Sequence, residues 1–256
     1  MKKNNLVIDA GNTNVVFAVY HKDIIIQQIR VETKKQDCHK YYYDIISNIF
    51  KKYPSEICCC AMSSVVPQIT DIIVSIIFKI ASIKTSIIDF SSDLGITFDM
   101  PDSSHLGSDL VVNAYAAVEK YNKNCIICDL GTATTIQLVS KEGCFFGAAI
   151  LPGIRTSSES LFEKAAKLKT IDLETPKNLL GKTTRDALLS GIINGHLFLL
   201  EGFIRNIKNE HKNLDEIITI ATGGLAQMVC RKSDSIDIID KNLLLNGLNS
   251  ICNKMR

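Results

Sequence analysis

No charge of one sign dominates this chain: 29 Lys and Arg stand against 27 Asp and Glu, a formal net charge of +2. The basic side chains are scattered instead of striped with aromatics, so the usual footprint of a nucleic-acid binder is missing. No low-complexity linker or charged tail interrupts the sequence. Nor is there an uninterrupted membrane-length run, since the most apolar stretch, residues 69–83, carries Asp71 and Lys79 and falls short of the roughly 18 residues a span needs. The start superficially resembles a secretory leader, but Asn4, Asn5, Asp9, Asn12 and Asn14 break the apolar run and a small-residue cleavage site is lacking. These absences lead us to expect a cytoplasmic protein with no membrane and no nucleic-acid partner.

A disulfide framework is also missing. The nine cysteines are odd in number and sit mostly in apolar, strand-like segments such as Cys58-Cys59-Cys60 and the pair Cys125/Cys128. There a thiol behaves as a small buried hydrophobe, and reduced cytosolic thiols fit better than cross-links. The Cys-x-x-Cys spacing of 125 and 128 leaves a metal or redox alternative, weakened by the lack of a second pair with zinc-site spacing. His21, His39, His105, His196 and His211 have no metal-ligand spacing and read as surface or packing residues.

What is present is the composition of a folded, enzyme-sized body: 256 residues, 46% hydrophobic and 22% charged, enough for one large domain or two small ones. Apolar patterning predicts strands at 6–8, 15–20, 23–31, 57–62 and 86–90, with helices at 41–53 and 68–82. A helix at 109–121 links to a second half with strands at 125–129, 135–140, 144–150 and 216–221. Helices are expected near 155–168, over 184–208 and after Gly224, with a breaker-rich loop at 170–182. Within the long helix, Gly191 and Gly195 share one face. That spacing suits a close helix contact, either between subunits or domains or inside the chain.

One phrase occurs twice, about half the chain apart. Asp9-Ala10-Gly11-Asn12-Thr13 follows the apolar run Leu6-Val7-Ile8, and Asp129-Leu130-Gly131-Thr132-Ala133-Thr134 follows Cys125-Ile126-Ile127-Cys128. Each reads as a buried strand, a tight turn and a second strand. Gly11 is expected to take a backbone conformation closed to other residues, so that amide N–H groups converge on an anion with Asn12 and Thr13 adding hydrogen bonds. Asp9 is placed to hold hydrated Mg2+ beside nucleotide phosphates. Alone, this turn is better explained as an ordinary hairpin with Asp and Asn stabilising it. The second turn, and a third glycine turn at Thr222-Gly223-Gly224 after another strand, shift the balance toward a duplicated domain with facing phosphate-holding turns and a nucleotide cleft. Phosphoryl transfer is the leading expectation.

In this order and spacing, Asp9-Ala10-Gly11-Asn12-Thr13-Asn14, Gly107-Ser108-Asp109, Asp129-Leu130-Gly131-Thr132-Ala133-Thr134-Thr135, Leu151-Pro152-Gly153 and Thr222-Gly223-Gly224 resemble the type III pantothenate kinases. The resemblance implies a duplicated α/β fold of two RNase H-like halves (actin/hexokinase/Hsp70-like) around a nucleotide cleft, residues 1–118 and 119–256. It also implies a homodimer and ATP-dependent phosphorylation of pantothenate at the first step of coenzyme A synthesis. Carried over by residue, Asp9, Ala10, Gly11, Asn12, Thr13, Asn14, Val15 and Val16 form the ATP phosphate loop, and Thr132 also touches ATP. Asp109 becomes the general base, and Asp129 the ligand of a monovalent cation, K+ or NH4+. Gly107, Ser108, Asp109 and Leu110 would line the substrate site with Phe98, and Thr184 would reach it from the partner subunit.

Two departures stand out. The family phrase Gly-Ala-Asp-Arg reads Gly107-Ser108-Asp109-Leu110 here, so the guanidinium expected near the anionic substrate is replaced by a side chain with no hydrogen bonds to offer. The segment from Pro101 to Gly107 is about two residues longer than usual, which bears on the place of Phe98. Without the family, Asp109 also reads as an ordinary carboxylate at a helix N-terminus. The alternatives are a nucleotide-binding regulator of the same family with weakened catalysis, or a kinase for another small hydroxy acid.

Overall fold

The computed structural model describes residues 3–165, 168 and 170–256. In chain order it contains β1 (Asn4–Ala10), β2 (Asn14–His21), β3 (Ile24–Glu32), α1 (His39–Lys52), β4 (Ile57–Ser64), α2 (Pro67–Ala81), β5 (Thr85–Ile88), β6 (Thr97–Phe98) and α3 (Ser108–Tyr121). There follow β7 (Asn124–Leu130), β8 (Ala133–Val139), β9 (Cys144–Pro152), α4 (Ile154–Lys164), α5 (Thr184–Leu189), a π-helical turn (Ser190–Asn194) and α6 (Gly195–Glu210). The chain closes with β10 (Ile217–Thr222), α7 (Ala226–Cys230), β11 (Ile238–Ile239) and α8 (Leu243–Lys254).

These elements form two compact units. One comprises Met1–Gly95, Pro101–Glu119 and Leu243–Arg256, the other Ile96–Met100 and Lys120–Asn242. The first sheet has the order β3-β2-β1-β4-β5, and the second, read from its other edge, β6-β9-β8-β7-β10-β11. Without β6 the two orders coincide, and so do the directions. Each has an antiparallel meander, β1-β2-β3 or β7-β8-β9, with parallel strands added beside its first member. The duplication legible in the repeated turn therefore extends to the whole sheet.

In the first unit, β1 is buried at nearly every position, as a central strand covered on both faces must be. Leu6 and Ile8 pack with Tyr42, Ile46 and Ile49 of α1 and Ile69, Ile73 and Ile76 of α2; each such fully buried side chain contributes roughly 1.5–3 kcal/mol relative to exposure. α2 starts on Pro67, whose fixed φ suits the first helical turn, and stops at Ser82 in the left-handed region with φ 55°. α8 packs on β1 and against α3, where a Cβ on Gly247 would lie 2.7 Å from that of Ala116. In the second unit Ile126, Cys128 and Leu130 of β7 pack with Ile154 of α4, Leu200 and Ile204 of α6 and Val229 of α7.

Several expectations change. The division at 118/119 lies next to an observed boundary after Glu119, but residues 243–256 belong to the first unit. The cause is specific: Asn249 bonds Asn5 (2.7 Å) and Asn246 accepts from the Tyr20 hydroxyl (2.7 Å). The helix expected over 155–168 ends at Lys164, and residues 166 and 167 lie outside those described. Cys125 and Cys128, three apart on β7, point to opposite faces of the sheet, so the two thiols cannot chelate one ion.

Candidate active site

The first turn is held from behind. Gly11 N–H donates to Asn14 O (2.9 Å), and chain leaving β3 returns to it, Thr33 N–H donating to Thr13 O (2.9 Å) and Thr33 Oγ1 to Gly11 O (2.7 Å). Asn12 and Thr13 remain exposed, while Val15 and Val16 are buried in β2. Lys35 Nζ donates to Asn12 Oδ1 (3.1 Å), which puts an exposed ammonium at the turn. Nothing near the motif in sequence announced Lys35, which stands more than twenty residues further on. The expectation for Gly11 needs correction: the glycines in the left-handed region are Gly95, Gly143, Gly147 and Gly223. What Gly11 supplies is room, since a Cβ there would meet Asn14 O at 3.3 Å.

The start of α3 is brought to the same edge of the same sheet. Asp9 on β1 pairs in register with Ser63 on β4, and Ser63 Oγ hydrogen-bonds Ser108 Oγ (2.9 Å), both residues buried. Val65 N–H, just past β4, donates to Ala10 O (3.0 Å). The phosphate-loop candidate and Asp109 thus share the carboxyl end of the first sheet, where ligands bind in open α/β sheets. Asp109 Oδ1 accepts from Leu110 N–H (2.9 Å) and occupies space that a side chain on Gly107 would overlap. Burial lifts the Asp109 carboxyl above its ordinary value of 3.8, against the pull of the backbone N–H of Leu110. Leu110 itself is only 4% exposed.

In the second unit three glycine motifs converge on one turn. Gly131 N–H donates to Ala133 O (3.1 Å), while Gly153 N–H (3.1 Å) and Thr156 Oγ1 (2.9 Å) both donate to Thr132 O. A side chain on Gly153 would overlap the Gly131 and Thr132 carbonyls. Gly223, with φ +90°, lies so close that a Cβ would fall 2.5 Å from Asp129 Oδ1 and 2.7 Å from Leu130 N. Asp129 pairs with Thr222 across β7 and β10, as Asp9 pairs with Ser63 in the first unit. Below the turn, buried Thr134 Oγ1 hydrogen-bonds His196 Nε2 (2.9 Å), and burial lowers the imidazole pKa.

The remaining candidates also sit in the second unit. Phe98 lies on β6, an edge strand paired with β9, its ring 5.9 Å from that of Phe145. Thr184 is exposed at the first turn of α5, whose N-cap Thr183 accepts from Asp186 N–H (3.1 Å). The helix expected over 184–208 runs from Thr184 to Glu210, broken at its middle by the π-helical turn, where Asn194 Nδ2 donates to Ser190 Oγ (3.0 Å). A Cβ on Gly191, Gly195 or Gly202 would meet nothing within 4 Å. An apolar groove of about 500 Å³ beside Thr184, Gly191 and Gly195, and another of about 660 Å³ beside Phe198 and Gly202, lie along this helix. By length and composition the helix could cross a membrane, and 33% of its apolar window is buried in the structure.

The family model for type III pantothenate kinases matches residues 5–206. The chain belongs to the type III pantothenate kinase family. A type III pantothenate kinase of Geotalea daltonii is 33% identical over 254 residues, covering 98% of each chain. A crystal structure from Campylobacter jejuni, named for the Baf family of transcriptional activators, superposes with TM-score 0.59 at 18% identity over 98% of both chains. A ROK family glucokinase of Streptomyces griseus, in complex with glucose and AMPPNP, gives 0.54 at 10% identity, covering 98% of this chain and 99% of that one. Both likenesses are of fold alone, and the fold they share is the duplicated actin/hexokinase-like one. Asp9, Asp109, Asp129, Thr132 and Thr184 all fall inside the span matched to the pantothenate kinase family.

Proposed function

We propose that the chain is a pantothenate kinase, moving the γ-phosphoryl group of ATP to the primary hydroxyl of pantothenate at the first step of coenzyme A biosynthesis. The observation that carries the mechanism is the shared sheet edge of Asp9 and Asp109, joined through Ser63 and Ser108. Phosphoryl transfer asks a protein mainly for alignment and charge stabilisation, with a carboxylate to accept the hydroxyl proton late in the step. Asp109 accepts that proton, and its raised pKa favours the transfer. Gly107, Ser108 and Leu110 shape the substrate wall.

Residues 9–16 hold the triphosphate through backbone N–H groups, Asn12 and Thr13, and Lys35 adds a positive charge at the rim; Thr132 meets the nucleotide from its own turn. No cluster of three or more His, Cys, Asp or Glu forms a protein cage among the described residues. One carboxylate at a strand end, such as Asp9, suits Mg2+ that keeps its waters and rides on nucleotide phosphates. When bound, Mg2+ supplies charge neutralisation at the phosphate oxygens. Asp129, with backbone packed around its carboxylate, suits a monovalent cation such as K+ or NH4+.

The working form in this proposal is a cytoplasmic homodimer, free of membrane and nucleic acid, in which the glycine-bearing face of the π-helical turn and α6 meets its counterpart and Thr184 serves the partner's substrate site. Buried Leu110, standing where the family has arginine, favours a second reading: a nucleotide-binding regulator, or a kinase for another small hydroxy acid. An assay with ATP, Mg2+ and K+, comparing pantothenate with other small hydroxy acids, decides between them. Turnover of pantothenate supports the first reading. Nucleotide binding without transfer to any of these acids supports the regulator.

A further inference from the structure

The start of β4 carries a bulge. Asn4 pairs with Ile57 and Asn5 with Cys59, so Cys58 is the extra residue and the register shifts there. Cys60 then faces the core with α1 and α2, while Cys59 sits beside Asn5, which is bonded to α8. Asn5 Nδ2 donates to Asn249 Oδ1 (2.7 Å) and Asn253 Oδ1 (2.8 Å), and the Arg256 guanidinium donates to Asn5 Oδ1. This clasp lays α8 along β4, with buried Cys252, between Asn249 and Asn253 in the helix, on the side of the sheet where Cys59 is the register partner of Asn5.

The two sulfurs are chemically unlike. Cys252 is buried and Cys59 partly exposed. The hydrogen bond from Cys252 lowers the Cys59 thiol to about 7, against burial and with help from the Arg256 guanidinium. The same bond, with burial, pushes Cys252 up, and burial pushes neighbouring Cys60 up to about 12. A partly exposed thiol with a lowered pKa therefore neighbours a buried, protected one across the β4–α8 packing, the arrangement in which an oxidised cysteine has its resolving partner at hand.

We propose that Cys59 and Cys252 form a peroxide-responsive dithiol that closes to a disulfide joining β4 to α8. The Cys59 thiolate attacks one oxygen of hydrogen peroxide; an S–O bond forms, the O–O bond breaks, and the departing hydroxide takes up a proton as water. Cys252, giving up its proton, then attacks the Cys59 sulfur. The S–S bond forms, the S–O bond breaks, and the second oxygen leaves as water. Two electrons pass from the sulfur pair to peroxide, and two thiols plus one peroxide become one disulfide and two waters. Closure fixes α8 on β4, the neighbour of the strand that leads to the Asp9 turn.

The test uses the reduced full-length protein, treated with one equivalent of hydrogen peroxide, alkylated and digested without reductant. The expected result is a Cys59–Cys252 linked peptide, loss of two of the nine alkylatable thiols, and recovery of both with dithiothreitol. Cys252→Ser should leave a dimedone adduct at Cys59. Cys59→Ser, checked for native circular dichroism, should form no link and lose thiols roughly tenfold more slowly. The proposal is overturned if peroxide consumes exposed Cys58 or partly exposed Cys144 before Cys59, if thiols are lost without that link, or if none is lost.

Discussion

Asp109 is where a single proton decides the outcome. Replacing it by Asn keeps the shape and removes the acceptor, so kcat should fall by about 10²–10⁴-fold with ATP binding nearly unchanged; steady-state kinetics with a nucleotide titration measures both, and wild-type turnover would remove Asp109 as the base. Because burial raises its pKa, wild-type activity should decline with falling pH at an inflection above the ordinary 3.8. The stability sign follows. A raised folded-state pKa gives stabilisation that is full below the unfolded pKa and lost as pH rises through the folded one, so at neutral pH the ionised carboxylate is a net cost. Asp109→Asn should therefore melt no lower than wild type at pH 7, and any advantage should vanish in acid. The glycines offer a second contrast at this scale. Gly223→Ala combines φ +90° with a backbone overlap and should destabilise by about 2–4 kcal/mol, whereas Gly11→Ala, 3.3 Å from its nearest neighbour, should cost about 1 kcal/mol or less. If residues 9–16 hold the triphosphate as proposed, Gly11→Ala should act instead on the KM for ATP.

At the level of elements, strand–turn–strand units and amphipathic helices were legible because their cues are local: period-two or period-3.6 apolar patterns punctuated by Gly, Asn and Pro. β1, β2, β7 and β8 appear where expected, with the acids near the strand ends. Two-residue strands such as β6 and β11 carry no periodic signal and exist only through their partners β9 and β10. The π-helical turn was equally invisible, since one extra residue in a helix leaves the apolar pattern almost intact. The docking of α8 on the first unit carries no local cue, because Asn246, Asn249 and Asn253 look like surface polar residues; their partners Tyr20 and Asn5 lie at the other end of the chain. The place of Leu110 has the same origin: the sequence marks a missing arginine, but only packing reveals that the position is closed. Leu110→Arg must bury a guanidinium or expel it through the core. It should therefore lower stability by about 3–5 kcal/mol in thermal or urea unfolding instead of simply restoring a substrate contact.

For the whole molecule the open question is what covers the helix from Thr184 to Glu210. Its exposed side carries Gly191, Gly195 and Gly202 with open space above each, Phe198 at 51% exposure, and an apolar groove along each half. Small residues in that pattern let a second helix approach closely, and desolvating the flanking apolar surface supplies the drive. If that helix belongs to a second copy, arginine at Gly195 places a charge and a long side chain at the crossing. Gly195→Arg should then shift the sedimentation velocity profile from dimer to monomer at micromolar concentration while circular dichroism stays native. The kinetic consequence separates this from simple misfolding. Because Thr184 would serve the partner's site, the monomer should lose pantothenate turnover yet retain ATP binding in its own phosphate loop. Mixing it with an Asp109→Asn chain should restore no activity, as neither can supply a whole site through a damaged interface. A wild-type monomer, or a fully active Gly195→Arg monomer, would show that this face serves something other than self-association and that Thr184 acts, if at all, within its own chain.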